Sequence, residues 1–151
     1  MCPMRVYVDT SVIGGCLDDE FARESLAVLQ MARDGEIILL FSDILADELA
    51  AAPPEVQEIL ADLPASCFER VASNPESRQL RDAYLKARVV GPQRSGDAHH
   101  ISLATIGRAD VVVSWNFRHI VNYQKTRLFN AVNLREGYPT IDIRSPLEMA
   151  R

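Results

Sequence analysis

The sequence lacks a long apolar run and has few cysteines. No stretch approaches the roughly 20 consecutive apolar residues of a membrane-spanning helix, so we expect no transmembrane segment. The apolar run near the N-terminus is interrupted by Asp9, which does not fit a secretory signal peptide. These two features predict a cytoplasmic protein without a membrane partner.

The few cysteines argue against a disulfide framework and against a zinc site. Cys2, Cys16 and Cys67 are odd in number and lack metal-ligand spacing, so we expect free thiols in a reducing compartment. Internal repeats, low-complexity tracts and interdomain linkers are also not recognisable. With 151 residues, of which 48% are hydrophobic, the sequence predicts a single globular domain over residues 1–151.

Basic residues are scarce in the first half of the chain. Residues 1–75 carry 4 Lys/Arg against 14 Asp/Glu, whereas residues 76–151 carry 12 against 7. A basic half suits a polyanion, and an acidic half supplies carboxylates for a metal site. A solvated surface with uneven charge explains the same numbers equally well.

Short apolar runs alternate with segments of helical periodicity, which predicts an α/β protein with a parallel sheet. The two strongest candidates for buried central strands are the run that ends at Asp9 and the run from Asp110 to Trp115. Further strands are expected at 37–41, 67–72 and 140–144. Helices are expected at about 18–33, 43–51, 54–62 and 97–106, after the cap signature at Asn74, and in parts of 117–136.

Asp9 lies at the end of the first strand, where parallel sheets place their ligands. A carboxylate at that position needs a partner, which is a metal ion, a cation or ordered water. Two hydroxyl residues, Thr10 and Ser11, follow it directly.

Two helices present further carboxylates. Glu48 shares the apolar stripe of its helix with Leu45 and Leu49, so it needs a partner there: either a metal ion or an arginine at the edge of the core. Asp97 opens its helix, and an acid in the first turn is also favourable for purely structural reasons.

His99 and His100 are adjacent on the helix that Asp97 opens, so their side chains point in different directions. They are poor candidates for a joint metal site. Each is better interpreted as a partly buried histidine or a substrate contact.

The strand at 110–115 has a polar residue near each of its ends. Asn116 follows the carboxyl end and is expected near Asp9, whereas Asp110 begins the strand at the opposite edge. We therefore interpret Asp110 as a turn residue between helix and strand.

Three carboxylates repel one another and have little reason to gather without a cation. Their oxygens suit Mg²⁺ and Mn²⁺.

Four segments in series resemble a PIN domain: Val8-Asp9-Thr10-Ser11-Val12, the segment Ser42–Leu49 around Glu48, Gly96–Ile101 around Asp97, and Val113–Phe117 around Asn116. The toxins of VapBC-type toxin–antitoxin modules are similar, compact members of that family. The resemblance covers nearly the whole chain and implies an α/β/α sandwich with a central parallel sheet. It also implies an endoribonuclease that depends on Mg²⁺ or Mn²⁺, with RNA as substrate, an antitoxin partner and a homodimer.

The same resemblance assigns roles to individual residues. Asp9, Glu48 and Asp97 would be metal ligands, and Thr10 or Ser11 would be a hydrogen-bonding helper. Asn116 stands where the family usually has Asp, so it offers a carbonyl oxygen without charge and would orient a ligand or water. The segment that follows extends past the family's minimal pattern. Its basic residues would form an RNA-contacting surface, unless they belong to a solvated helical segment: Arg118, His119, Lys125 and Arg127.

Two other functions remain open from the sequence alone. One is an RNA-binding or interaction module that kept the fold and lost efficient cleavage. The other is a phosphotransfer or phosphatase domain of another doubly wound fold. An aspartyl-phosphate enzyme of the dehalogenase-like type requires a second Asp two residues after the first, and this chain has Ser11 there. A receiver domain requires a Lys after the last strand, and Arg144 does not meet that requirement.

Overall fold

The protein is built on a five-stranded, all-parallel sheet with the strand order β3-β2-β1-β4-β5. The computed structural model describes residues 2–150. In chain order the strands are β1 (Met4–Val8), β2 (Ile37–Ser42), β3 (Phe68–Val71), β4 (Val111–Val113) and β5 (Asp142–Arg144). The α/β fold with a central parallel sheet that the sequence predicts is confirmed.

Eight helices connect and flank the strands in the described part of the chain. They are α1 (Thr10–Gly15), α2 (Ala22–Arg33), α3 (Asp43–Ala50), α4 (Pro54–Ala61), α5 (Pro75–Lys86), α6 (Ser95–Ile106), α7 (Tyr123–Arg135) and α8 (Pro146–Met149). Short 3-10 turns at Ala65–Cys67 and Pro92–Arg94 precede β3 and α6. Across residues 2–150, every helix is too short or too polar to cross a membrane.

Both faces of the sheet are buried. Successive side chains of β1 point alternately into two apolar layers, one on each face. Val6 and Val8 belong to a core that also contains residues of α1, α2, α3 and α4. Tyr7 belongs to a second core, which contains residues of α5, α6 and α7. The three layers of an α/β/α sandwich follow from this alternation.

The strand order reverses at β1, since β2 lies on one side of it and β4 on the other. Such a switch point leaves a crevice at the carboxyl ends of the strands, where ligands bind in open α/β sheets. Asp9 follows β1 and Asn116 follows β4 within a few residues, so both lie at this crevice.

Helix α1 is not among the helices that the sequence predicts. It forms because α1 packs tightly against the loop after β4: a Cβ on Gly15 would lie 2.8 Å from Trp115 Nε1 and 2.7 Å from Ser25 Oγ. Trp115 Nε1 donates a hydrogen bond to that same hydroxyl at 2.8 Å. Helix α2 begins at Ala22, later than the predicted start at about residue 18.

The other expected elements agree with the structure within a few residues. Ser42 caps α3 through a hydrogen bond from Leu45 N at 3.1 Å. Asn74 and Ser77 form a reciprocal capping box at the start of α5. The segment 117–136 divides into a looped part and α7, which ends before Gly137 in the left-handed region at φ 88°.

Candidate active site

Asp9 is buried at the carboxyl end of β1 and is held by two hydroxyl groups. Ser11 Oγ donates to Asp9 Oδ1 at 2.5 Å, and Ser114 Oγ donates to Oδ2 at 2.6 Å. Both hydroxyls also accept backbone N–H groups of the loop after β4, from Trp115 and Asn116, each at 2.9 Å. The carboxylate therefore joins the ends of the two central strands.

The pKa of the Asp9 carboxyl is raised above its ordinary value. Burial is the main cause, and the negative charge of Asp97 adds to it. The positive charge of His100 and the bonds from Ser11 and Ser114 act in the opposite direction without cancelling it. No lysine or arginine among residues 2–150 forms an ion pair with this carboxylate.

Glu48 reaches the same crevice from α3. Its Oε1 atom accepts hydrogen bonds from Thr10 Oγ1 and from His100 Nε2, the latter at 2.8 Å. Burial alone would raise the pKa of this carboxyl, but the hydrogen bonds from His100 and Thr10 and the charge of His100 lower it overall. The partner of Glu48 on the apolar stripe is thus a histidine, rather than the arginine that the sequence left open.

Asp97 stands in the first turn of α6, beside Asn116. Asn116 Nδ2 donates to Asp97 Oδ2 at 3.3 Å, while Asn116 Oδ1 accepts the backbone N–H of His119 at 2.9 Å. The amide oxygen is therefore committed to the backbone, and the amide nitrogen faces the carboxylate. Burial raises the pKa of Asp97, and the charge of Glu48 contributes in the same direction.

Of the predicted basic residues, His119 lies near Asp97, and Arg118 and Lys125 lie near His119. Arg127 lies instead over the ring of Tyr123, 5.4 Å from its centroid. His119 has a lowered pKa because of desolvation, with nearby positive charges on Arg94, Arg118 and Lys125 acting in the same direction. Arg118 is exposed, whereas Lys125 Nζ donates a hydrogen bond to the carbonyl of Val89. Arg118 is consequently freer than Lys125 to contact a bound molecule.

Asp110 lies at the opposite edge of the sheet, as expected from the polarity of its strand. Its Oδ2 atom accepts the backbone N–H of Arg5 at 2.8 Å, which fastens the start of β1 to the turn before β4. The same Arg5 side chain pairs with Glu69 at 2.5 Å. Asp110 is therefore a turn residue that does not join the group around Asp9.

Two residues whose roles the sequence did not predict hold carboxylates of the crevice: Ser114, for which no role was expected, and His100, which was expected to be a partly buried histidine or a substrate contact. Ser114 directly follows β4, and its position two residues before Asn116 was a usable signal. His100 is 2% exposed and bridges Glu48 to Tyr7, whose hydroxyl lies 2.6 Å from His100 Nδ1. His99 is buried too, with Nε2 3.2 Å from Ser77 Oγ, so the two adjacent histidines do point to different partners.

The donor set has the chemistry of a site for a hard divalent cation. Three carboxylates lie at one edge of the sheet, and they are close enough that the charge of Asp97 raises the pKa of Asp9 and the charge of Glu48 raises that of Asp97, in addition to burial. Within residues 2–150, however, no three His, Cys, Asp or Glu side chains already form a metal cage. The carboxylate oxygens are held by hydroxyls, an imidazole and an amide instead.

The fold of this chain is similar to the folds of proteins with solved structures. VapBC2 from Rickettsia felis, bound to a DNA fragment from its promoter, matches with a TM-score of 0.57 and 14% sequence identity, over 94% of this chain and 98% of that one. FitAcB from Neisseria gonorrhoeae matches with a TM-score of 0.54 and 16% identity over the same shares of the two chains. No protein-family model and no curated protein sequence matches. At these identities the similarity concerns the fold.

Proposed function

We propose that this protein is a metal-dependent endoribonuclease of the PIN type and the toxin of a toxin–antitoxin pair. The observation that carries the proposal is that Asp9, Glu48 and Asp97 lie at the switch point of the sheet, where the charge of Asp97 acts on Asp9 and the charge of Glu48 acts on Asp97. The fold similarity to VapBC2 and FitAcB supports it, as does the order of the four segments in the sequence.

The proposed metal ligands are Asp9, Glu48 and Asp97, with Mg²⁺ or Mn²⁺ as the ion. A bound divalent ion at such a site activates water and stabilises the charge that develops on a phosphoryl group. Ser11 and Ser114 orient the Asp9 carboxylate, and Thr10 orients that of Glu48. Asn116 orients Asp97 by donating its amide proton.

Basic residues beside Asp97 give the crevice its expected affinity for RNA. Arg118 is exposed, and its charge and that of Lys125 lie close enough to His119 to lower the pKa of that histidine. Positive charge next to a carboxylate cluster attracts the phosphates of a polyanion while leaving the carboxylates for a cation. The proposed substrate is single-stranded RNA, and the proposed protein partner is a cognate antitoxin.

Cleavage of RNA by the purified protein tests this function. We expect single-stranded RNA to be cut in Mg²⁺ or Mn²⁺ and to stay intact in EDTA. Asp9→Asn should abolish cleavage, whereas Asp110→Asn should retain it, because Asp110 lies at the other end of the sheet. Cleavage that persists in EDTA, or that survives Asp9→Asn, would contradict the proposal.

A second candidate function is an RNA-binding module with weak or no cleavage. It is favoured by the commitment of Asn116 Oδ1 to the backbone of His119, because Asn116 then turns its amide nitrogen and not an oxygen toward Asp97. RNA that is bound in Mn²⁺ but not cut would identify this function in place of the first.

A further inference from the structure

A chain of buried polar groups leads from the interior of the protein to Glu48. The hydroxyl of Ser42 lies 2.8 Å from that of Tyr7, and the Tyr7 hydroxyl lies 2.6 Å from His100 Nδ1. His100 Nε2 then lies 2.8 Å from Glu48 Oε1. Ser42, Tyr7 and His100 are at most 2% exposed, so water does not compete for these contacts.

Ser42 Oγ accepts Leu45 N–H at 3.1 Å. The rest of the chain is satisfied in both protonation states of His100. Neutral His100 accepts the Tyr7 hydroxyl proton at Nδ1, whereas protonated His100 donates from Nδ1 to the Tyr7 oxygen, which then donates to Ser42. In both states the proton on Nε2 is donated to Glu48 Oε1. Since Ser42 also caps α3, the helix that carries Glu48 is held at its start and at its functional residue by the same chain.

The two oxygens of Glu48 consequently have different surroundings. Oε1 is occupied by His100 and Thr10. Oε2 has no hydrogen-bond partner among residues 2–150 and faces Gly96, where a Cβ would lie 3.6 Å away. A carboxylate whose one oxygen is fixed presents the other in a single orientation.

From this geometry we infer that His100, supported by Tyr7, is a positioning residue that holds Glu48 Oε1 and so presents Oε2 to the divalent ion. His100 is 2% exposed and cannot itself contact RNA, so it acts through Glu48. This inference rests on the proposed function, because it takes Glu48 as a metal ligand. Removing the hydrogen-bond partner of a metal ligand commonly weakens metal affinity about 10- to 100-fold.

The neighbouring histidine supplies a matched control. His99 is on the same helix and nearly as buried, at 5% exposed, but its Nε2 lies 3.2 Å from Ser77 Oγ, outside the chain that reaches Glu48. Replacing either histidine removes a buried imidazole from α6. Only the replacement of His100 removes the hydrogen bond to Glu48.

The test is the dissociation constant of Mn²⁺, measured by calorimetry on the full chain below its melting temperature. We expect His100→Leu to raise the constant about 10- to 100-fold, and His99→Leu to leave it at the wild-type value. His100→Gln, whose amide can donate toward Glu48, should restore most of the affinity. Should the leucine variant fail to fold, His100→Asn replaces it, because its shorter amide reaches toward Tyr7 but not Glu48.

Glu48→Gln separates failure of the inference from failure of the proposed function. If Glu48→Gln binds Mn²⁺ like the wild type, or the wild type does not bind Mn²⁺, the ligand assignment itself is wrong. If Glu48→Gln loses affinity while His100→Leu and His100→Asn keep it, only the positioning role of His100 is overturned. Equal losses in His99→Leu and His100→Leu would also overturn it, since they would reflect a general disturbance of α6.

Discussion

Converting Asn116 to Asp changes the sign of one contact in the crevice. Asn116 Nδ2 now donates to Asp97 Oδ2 across 3.3 Å, and the substitution places a carboxylate oxygen where that donor stood. The other oxygen of the new side chain still accepts the backbone N–H of His119, which keeps it in place. Without metal, an attractive contact therefore becomes a repulsion between two carboxylates.

The size of this repulsion follows from the separation. Two unit charges about 4 Å apart interact by about 1 kcal/mol in water and about 4 kcal/mol at the effective dielectric constant near a protein surface. For a chain of this size, each kcal/mol shifts the melting temperature by about 2–4 °C. We expect Asn116→Asp in EDTA at pH 8 to melt about 2–16 °C below the wild type.

The pH dependence of the melting temperature tests independently whether the substitution introduces a repulsion. Burial already raises the pKa of Asp97, and repulsion would raise the pKa values of both acids in the folded variant further. Acids with raised pKa values destabilise the folded state only where they are ionised, so the penalty grows as the pH rises above about 4 and disappears at lower pH. The melting temperatures of the variant and the wild type should converge near pH 4.

Metal ions should reverse the effect. A fourth oxygen ligand of negative charge strengthens cation binding, and ligand at 100 times its dissociation constant stabilises the folded state by about 2.7 kcal/mol. Scanning calorimetry with and without Mn²⁺ measures both states. Asp110→Asn, at the opposite edge, should leave the response to Mn²⁺ unchanged. The placement of Asn116 beside a metal site would be refuted if its variant melted like the wild type in EDTA and gained nothing from Mn²⁺.

Changes at Asp97, Asp9 and Arg118 test separate parts of the site. Asp97→Asn should abolish RNA cleavage yet leave the melting temperature in EDTA unchanged or slightly higher, because it removes like-charge repulsion; full activity would exclude Asp97 from the site. Burial raises the pKa of Asp9, so the metal-free wild type should lose stability as the pH rises from about 4 through that raised pKa. Urea titrations over this pH range should show the decline in the wild type and not in Asp9→Asn. Arg118→Ala should reduce the slope of log affinity for single-stranded RNA against log salt concentration by about 0.7. Arg135→Ala, at the C-terminal end of α7, should leave the slope unchanged. Equal slopes in the two variants would show that Arg118 does not contact RNA.

The strands could be predicted because their sequences are unambiguous. Val111, Val112 and Val113 form a run of β-branched residues, and burial on both faces of a parallel sheet requires such a run. The polarity of that strand also separated Asn116 from Asp110, since each stands at a known end. The resulting placement of Asp9 near Asn116 needed only the rule that parallel strands end at the same edge.

Helix α1 and the role of His100 could not be predicted in this way. The six residues of α1 include Thr, two β-branched aliphatic residues and two glycines, so local propensity does not favour a helix. The helix is stabilised by packing against Trp115, a hundred residues further along the chain. The partnership of His100 with Glu48 likewise joins residues 52 apart in sequence, and only the packing of α6 against α3 brings them together.

Anomalous diffraction from crystals grown in Mn²⁺ determines whether Asp9, Glu48 and Asp97 bind one divalent ion, as we propose. We expect an anomalous peak at the carboxyl ends of β1 and β4, within about 2.0–2.6 Å of oxygens from these three residues. A peak elsewhere, or none at Mn²⁺ concentrations that saturate the protein in solution, would contradict it.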